Sequence, residues 1–197
     1  MNKTVIVTGI PGSGKTTVCD FVEKLGKEAG LEVHVVNYGT AMVELLKKYE
    51  RQMGRDAMRK TSADFQHRLQ TDAAKAIAEK TKDWKGVKIV DTHMSINTPQ
   101  GYLPGLPYHV LQILQPSMFV LVEAKPGEIS SRRMKDTTRK RDESVEDAVK
   151  EELLFSRLLA GACAILTGAP IKIVINAEGK QEEAAREILK TLKETEL

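Results

Sequence analysis

The sequence predicts an α/β fold with a five-stranded parallel sheet flanked by helices. Short apolar segments rich in β-branched residues alternate with helix-forming segments along all 197 residues, which is the pattern of β-α-β units. Crossovers of this kind are right-handed and give parallel strands. The chain contains no internal repeat, low-complexity tract or Pro/Ser-rich linker. We therefore expect one domain spanning residues 1–197.

Five segments have the composition of buried strands. Each is a short run dominated by Val, Ile or other apolar residues, and the third ends on an acid. In chain order they are residues 4–8, 32–37, 87–91, 118–122 and 171–176. Ligands of such sheets bind beyond the carboxyl ends of the strands. Residues at those ends are therefore candidates for a functional site.

The segments between the strands have helical periodicity. One face of the first helix carries the apolar residues Val18, Phe21, Val22 and Leu25. Ser144 followed by acidic residues is typical of a helix start. The predicted helices are 17–25, 40–49, a polar helix-prone region over 55–82, 144 to about 166, and 181–192, with a loop at 104–107.

Residues 9–16, between the first strand and the first helix, match the phosphate-loop pattern G-x-x-x-x-G-K-[ST]. Glycines allow successive N–H groups to point at a phosphate, and the following helix adds the positive end of its dipole. The pattern and its flanks predict a P-loop NTPase. The residues expected to bind the triphosphate are Gly9, Ile10, Pro11, Gly12, Ser13, Gly14, Lys15, Thr16 and Thr17.

Specific roles follow from this loop for three residues. Lys15 is expected to reach the β- and γ-phosphates, and the Thr16 hydroxyl to ligate Mg²⁺. Asp91, at the end of the third strand, is the expected second metal residue, directly or through a water; a helix or turn cap is its alternative role. A GTP-binding switch is not favoured, because the D-x-x-G pattern at 83–86 precedes the third strand and no N-K-x-D guanine reader follows.

Composition narrows the class of protein. A hydrophobic content of 41%, a charged content of 29% and a net charge of +3 indicate a soluble globular protein without a general signal for nucleic acid. Cys19 and Cys163 are isolated, which predicts neither zinc nor a disulfide framework and fits a reducing cytosol. The first strand starts too near the N-terminus for a signal peptide, and no apolar stretch approaches the roughly 20 residues of a membrane span. We expect a cytoplasmic protein with no membrane partner.

A basic cluster at 132–142 is the second functional signal. Its cations are Arg132, Arg133, Lys135, Arg139, Lys140 and Arg141. Phosphoryl transfer needs such charges because the transferred group and its neighbours are anionic, and arginine suits the task through its planar, always charged fork. A solvated basic helix end and an RNA-contacting surface are the alternatives.

Six segments together resemble the archaeal-type adenylate kinase. They are residues 9–17, 37–40, 55–60, 90–93, 98–107 and 136–142, in the family's order and over nearly the whole chain. The block at 101–107 after Asp91-Thr92-His93 is particular to that family. The resemblance implies Mg²⁺-dependent transfer of the γ-phosphoryl group of ATP to AMP. It also implies a nucleoside-monophosphate (NMP)-binding insertion at about 38–82, a short lid at about 132–143, and a homotrimer.

The resemblance implies residue roles as well. Those for AMP are Gly39, Thr40 and Arg59, with Tyr102 as a wall of the adenine site. Arg139 and Arg141 match the lid arginines, and with Lys15 they are the implied catalytic residues. Arg157 matches a further phosphate clamp only loosely.

The chain departs from the bacterial adenylate kinases. Thr92 and His93 follow Asp91 where the bacterial D-G-x-P-R segment carries an arginine, and the long lid with its Cys₄ zinc site is missing. We expect His93 to be a core or capping histidine. Two other functions remain open: a kinase acting on a nucleoside, shikimate or a CMP-type acceptor, and a non-enzymatic ATP-gated assembly factor that contacts RNA.

Overall fold

Residues 3–49, 55–58, 60–99, 101–135 and 146–194 are described in a computed structural model. Their strands are β1 Lys3–Thr8, β2 Val33–Asn37, β3 Val87–Thr92, β4 Ser95–Thr98, β5 Gly101–Pro104, β6 Met118–Glu123 and β7 Ile171–Ile175. Five of them form a parallel sheet in the order β2-β3-β1-β6-β7. The other two, β4 and β5, pair as an antiparallel hairpin.

The helices in these ranges are α1 Lys15–Glu28, α2 Tyr38–Lys48, α3 Arg55–Met58, α4 Ala63–Lys80, α5 Tyr108–Leu114, α6 Pro126–Lys135, α7 Glu146–Thr167 and α8 Gln181–Glu194. None of these described helices has the length and apolar character needed to cross a bilayer. The predicted five-stranded parallel sheet flanked by helices is confirmed.

Three elements are absent from the sequence prediction. The β4–β5 hairpin consists of strands of four residues that are half-buried in β4 and mostly exposed in β5, and neither carries a buried apolar run. Helix α5 is only seven residues long and starts directly after Pro107, where the expected loop at 104–107 ends. Helix α6 is polar along most of its length. Short or polar elements give weak periodicity, because tertiary packing rather than their own pattern stabilises them.

The sheet divides the core into two apolar layers. In β1, Val5 and Val7 point to one face and Ile6 to the other, because side chains alternate along a strand. The first face packs against α1 and α8, and the second against α2, α4, α5 and α7. Both layers therefore hold β1 rigidly, and β1 leads directly into the phosphate loop.

The strand register determines which residues meet at the carboxyl edge of the sheet. Asn37, the last residue of β2, lies opposite Asp91 of β3, and Asp91 lies opposite Val7 of β1. The end of β1 and the two polar side chains therefore share one edge of the sheet. This is the edge at which parallel α/β sheets bind their ligands.

A buried polar link ties α2, α4 and the hairpin together. The hydroxyl of Tyr38, which is 2% exposed, donates to the main-chain oxygen of Gln70. The Gln70 amide group in turn donates to the carbonyl oxygen of Pro104 at 2.9 Å. Burial raises the pKa of the Tyr38 hydroxyl, so it stays protonated and able to donate. The link fixes the first turn of α2 against the core.

We expect Tyr38→Phe to lower the free energy of unfolding by about 1–3 kcal/mol, because it leaves a buried carbonyl acceptor without its donor. The matched control is Tyr49→Phe. Tyr49 is 43% exposed and donates to Asp72 at 2.6 Å, and water can replace that bond. Urea unfolding measures both changes. Equal losses of stability in the two variants would contradict the structural role given to Tyr38.

Candidate active site at the phosphate loop

The loop between β1 and α1 requires glycine at three positions. Gly12 and Gly14 have φ angles of +88° and +79°, in the left-handed region that residues with a side chain rarely adopt. A Cβ atom at Gly9 would lie 2.4 Å from the carbonyl oxygen of Val122. The loop is therefore packed directly on the carboxyl end of β6.

Two carbonyl oxygens of the loop accept backbone hydrogen bonds from the chain that follows. The Ile10 oxygen accepts from the Ser13 amide, and the Gly14 oxygen accepts from the Val18 amide, each at 3.1 Å. The first bond closes a tight turn, and the second begins the ladder of α1. The loop thus runs into the helix without a break.

Two further carbonyl oxygens accept from side chains. The Gly9 oxygen lies 2.8 Å from His93 Nδ1; because a carbonyl can only accept, that nitrogen carries the proton. The Pro11 oxygen accepts from Arg133 Nε at 2.9 Å. His93, expected as a core or capping residue, therefore contacts the start of the phosphate loop.

The Ser13 carbonyl oxygen accepts from two side chains. Asn176 Nδ2 donates to it at 2.7 Å and Arg132 Nη1 at 3.3 Å. A Cβ atom at Gly14 would lie 2.4 Å from the same Asn176 nitrogen. The second half of the loop is therefore held between α6 and the segment after β7.

The residues predicted for phosphate and metal meet at Asp91. Its carboxylate, 1% exposed, accepts from the ammonium of Lys15, from the Thr16 hydroxyl at 3.1 Å and from Asn37 Nδ2 at 2.7 Å. Lys15 is itself buried at 6% exposure. Two strand ends and the first turn of α1 therefore converge on one carboxylate.

The donor set at this point fits Mg²⁺. The Thr16 hydroxyl and the Asp91 carboxylate offer hard oxygen ligands, which Mg²⁺ prefers, and Thr16 lies on the exposed side of α1. Mg²⁺ also keeps several waters and binds through one or two carboxylates plus phosphates. An acid beside a phosphate loop is an arrangement of that kind.

The negative charge of Asp91 affects the pKa values of nearby groups on α1. Burial, and then the Asp91 carboxylate, raise the pKa of the Cys19 thiol and also the pKa of the Asp20 carboxyl. Cys19 therefore stays an inert thiol.

The residues expected to bind a monophosphate start helix α2. Thr40 donates to Asn37 Oδ1 through its amide at 2.9 Å and through its hydroxyl at 3.1 Å. Because Asn37 also donates to Asp91, the start of α2 is joined to the candidate metal position. Gly39 lies in the same first turn. Arg59 lies outside the described residues.

Tyr102, expected as a wall of an adenine site, lies on β5. Its ring packs against Phe155 of α7, with centroids 4.7 Å apart, and it remains 39% exposed. Tyr102 therefore lies on the β4–β5 hairpin, against α7, and not on the phosphate loop.

The basic cluster divides in two. Arg132 and Arg133 lie in the last turn of α6, where each contacts a loop carbonyl and a glutamate. Arg139 and Arg141, the expected catalytic arginines, lie outside the described residues. The expected lid at about 132–143 thus begins inside α6.

Arg157, a loose match to a phosphate clamp, forms a bidentate pair with Glu123 at 2.9 and 2.5 Å. The hydrogen bonds to Glu123 raise the pKa of its guanidinium. Glu123 is the last residue of β6, and its carbonyl oxygen accepts from the Asn176 amide at 2.6 Å. The pair therefore braces the strand ends beside the loop.

Sequence reasoning missed Asn37 and Asn176 as site residues. Asn37 ends β2 and Asn176 follows β7, so the rule that ligands bind at carboxyl strand ends contained the signal. No sequence signal identifies the loop carbonyls that Arg132 and Arg133 contact, because those contacts depend on how α6 packs.

Comparison with known proteins agrees with this geometry. A family profile described as an AAA domain matches residues 8–150. The adenylate kinase of Methanocaldococcus jannaschii is 46% identical over 194 residues, covering 98% of this chain and 99% of that protein. The adenylate kinase of Thermoplasma acidophilum is 46% identical over 187 residues, covering 95% and 97%. That of Saccharolobus solfataricus is 42% identical, covering 96% and 99%.

Solved structures agree on the fold. A shikimate kinase from Acinetobacter baumannii, in complex with shikimate, superposes with a TM-score of 0.58 at 15% identity, covering 100% of this chain and 96% of that one. A shikimate kinase from Bacteroides thetaiotaomicron gives 0.58 at 16% identity, covering 97% and 98%. At these identities the likeness concerns the fold alone. The three relatives, by contrast, are 42–46% identical over nearly the full length. This chain therefore belongs to the adenylate kinase family of phosphotransferases.

Proposed function

We propose that the protein catalyses reversible, Mg²⁺-dependent transfer of the γ-phosphoryl group of ATP to AMP, giving two ADP. The observation that carries the proposal is the convergence of Lys15, Thr16 and Asp91 at the end of the phosphate loop. An ammonium and hard oxygen donors beside a helix N-terminus form a site for a triphosphate and its cation. The adenylate kinase relatives support AMP as the acceptor.

Each residue at the loop has a defined task in this proposal. Residues 9–17 hold the triphosphate, with the N–H groups of Gly12, Gly14 and Lys15 directed at it, and Lys15 leaves Asp91 to contact the β- and γ-phosphates. Thr16 and Asp91 hold Mg²⁺, Asp91 directly or through water. The bound cation supplies neutralisation of phosphate charge. No side chain needs to act as a general base of unusual pKa, because positioning and charge neutralisation account for catalysis of phosphoryl transfer.

The acceptor belongs beside α2 in this proposal. Gly39, Thr40 and Arg59, within the NMP-binding insertion at about 38–82, bind AMP. Tyr102 forms a wall of the adenine site, with the ring of Phe155 supporting it. The Asn37 side chain, bonded to both Thr40 and Asp91, supports a fixed distance between the acceptor and the metal.

The cysteines and the proposed substrates indicate the cellular setting. We infer a cytoplasmic protein whose partners are the nucleotides ATP and AMP, with no membrane or nucleic-acid partner. The buried free thiols of Cys19 and Cys163 support a reducing compartment.

A coupled assay across AMP, GMP, CMP, UMP and dTMP tests the proposed reaction. We expect ADP from ATP only when AMP is present, loss of the reaction in EDTA, and its return with Mg²⁺. Lys15→Ala should abolish the reaction while far-UV circular dichroism stays unchanged, because Lys15 acts on the ligand. Strong turnover with another of these monophosphates, or none with any acceptor, would contradict the proposal.

The lid arginines are tested separately. We propose that Arg139 and Arg141 contact the transferring phosphoryl group, and arginines in that role contribute roughly 10³- to 10⁵-fold in rate. Replacing either with Ala should therefore lower kcat by orders of magnitude while the affinity for ATP alone changes far less. Lys140→Ala is the matched neighbour control and should retain most activity. If both arginine variants stay within a few-fold of the parent, the assignment is wrong.

We also propose that copies of the chain associate through an apolar surface on α7 and β7. Val174 of β7 faces α1 and α8, so the isoleucines that alternate with it face the α7 side. The exposed aliphatic side chains of this surface are Leu154, Leu158, Ile165, Leu166, Ile171, Ile173 and Ile175. Ile165 is 86% exposed, and monomeric proteins rarely leave large apolar surfaces uncovered.

A second copy is the occupant that this surface fits. Leu154, Leu158 and Ile165 recur at heptad-like spacing on the outer face of α7, which is typical of a seam between helices. Strand β7 is also an edge of the sheet. Because these aliphatic side chains are uncharged, identical copies can meet there without repulsion. The resemblance to archaeal-type adenylate kinases favours a homotrimer.

Light scattering after size exclusion tests this association. We expect a mass three times the 21.8 kDa of one chain, and Ile165→Lys should shift it to one chain, because a buried ammonium is costly. Tyr108→Lys, at a residue 54% exposed on α5, should leave the assembly intact. A monomeric parent protein would overturn the proposal.

A further inference from the structure

We propose that Arg133 and Glu152 form a positioning pair that sets the shape of the phosphate loop for ATP. In this role neither side chain contacts phosphate itself, although the basic cluster at 132–142 suggested a phosphate contact for Arg133. The inference rests on the proposed function only in taking the triphosphate as the ligand of the loop.

Each of the three guanidinium nitrogens of Arg133 donates a hydrogen bond within the protein. Nε donates to the Pro11 carbonyl oxygen at 2.9 Å, while Nη1 and Nη2 donate to the Glu152 carboxylate at 2.9 and 2.6 Å. The Arg133 side chain is 3% exposed and that of Glu152 is 21% exposed. The stem of Arg133 also packs on the loop, since its Cγ would lie 3.1 Å from a Cβ atom placed at Gly12.

These contacts argue against Arg133 as a ligand of the transferred phosphate. Its charge is neutralised by Glu152 in a bidentate geometry, which is the strongest form of this interaction. Moving the guanidinium to a phosphate would leave Glu152 without its partner and would release the Pro11 oxygen. A buried pair of this kind strongly resists the removal of one member.

Holding one carbonyl fixes the amide that follows it. In a trans peptide unit the C=O and N–H groups point in opposite directions. Because Arg133 fixes the Pro11 oxygen on the α6 side of the loop, the Gly12 N–H points to the other side. Convergent N–H groups of this kind make the anion-binding surface of a phosphate loop. Arg133 thus acts on the phosphate through the Gly12 amide.

Glu152 makes the arrangement specific. It lies on α7, so the pair joins α6, α7 and the phosphate loop through one guanidinium. A free arginine could adopt many rotamers, whereas a fork held at two nitrogens by a carboxylate presents the third in one direction. The carboxylate is therefore expected to matter for ATP although it is not itself a donor to phosphate.

The test compares Arg133→Lys and Glu152→Gln, singly and together, by calorimetric binding of Mg-ATP and of AMP. Lysine keeps the charge but cannot bond the Pro11 oxygen and both carboxylate oxygens; glutamine keeps the shape but loses the charge.

Each variant should raise the Kd for Mg-ATP about 10- to 100-fold, a loss of the size seen when a group that orients a ligand-binding residue is removed. The Kd for AMP should stay within about two-fold, because AMP does not bind the loop amides. The double variant should be no weaker than the worse single variant, since both act through one contact.

The matched control is Glu182→Gln. Glu182 accepts from Arg186 at 2.6 Å on α8, where both side chains are exposed, and this change should leave both affinities at the parent's values. Melting temperatures are measured on every variant, and a higher Kd for Mg-ATP in both variants without a matching rise in the Kd for AMP supports the proposal.

Two results would overturn the proposal. If Glu152→Gln binds Mg-ATP like the parent while Arg133→Lys does not, then Arg133 binds the phosphate directly. If both variants weaken Mg-ATP and AMP equally, the pair serves stability alone. Because binding of ATP is measured without turnover, failure of the proposed AMP phosphorylation would leave this test decisive.

Discussion

The orientation of the peptide groups in the phosphate loop is the constraint on which the rest of the site depends. The carbonyl oxygens of Gly9, Ile10, Pro11, Ser13 and Gly14 each accept a hydrogen bond from the protein. Because C=O and N–H oppose each other across a trans peptide unit, the bonds to the Gly9, Pro11, Ser13 and Gly14 oxygens direct the N–H groups that follow them toward the ligand side. The bond to the Ile10 oxygen only closes the turn, because Pro11 has no N–H. Anion binding then follows from geometry that is built before any nucleotide arrives, so little ordering entropy remains to be lost on binding.

The side-chain donors to the Gly9, Pro11 and Ser13 oxygens come from distant parts of the chain, which explains why a loop of few residues needs a whole domain. His93 follows β3, Arg132 and Arg133 end α6, and Asn176 follows β7. The two apolar layers hold those elements on one β-sheet. Asp91 is held in the same way, since Lys15, Thr16 and Asn37 all bond to it, and in the proposed function it holds Mg²⁺. The core and the site are therefore one structure, with the packing of the strands setting the position of each polar group.

The sequence supported prediction of the parallel sheet and of the Lys15, Thr16 and Asp91 cluster, because strong strand patterns and a complete phosphate-loop pattern need no knowledge of packing. Other features depend on tertiary contacts. The β4–β5 hairpin and α5 are too short to give a period, and α6 is too polar. The sequence shows that Arg132 and Arg133 are charged, and this suggested contacts with phosphate. It does not show that Arg132 pairs with Glu178 and Arg133 with Glu152, because those pairs form between segments that are distant in the chain. The predicted roles of Arg59, Arg139 and Arg141 remain predictions, since these residues lie outside the described part of the chain.

Amide NMR of the loop tests the central claim most directly. Transverse-relaxation-optimised spectra of ¹⁵N-labelled protein would be recorded with Mg-ATP, with AMP and with neither. The account predicts large downfield shifts of the Gly12, Gly14 and Lys15 amide protons with Mg-ATP, because charge-assisted hydrogen bonds to phosphate form there, and little change with AMP alone. If calorimetry detects Mg-ATP binding while these three amide signals stay at their positions in the free protein, the loop is not the triphosphate site and the account is wrong.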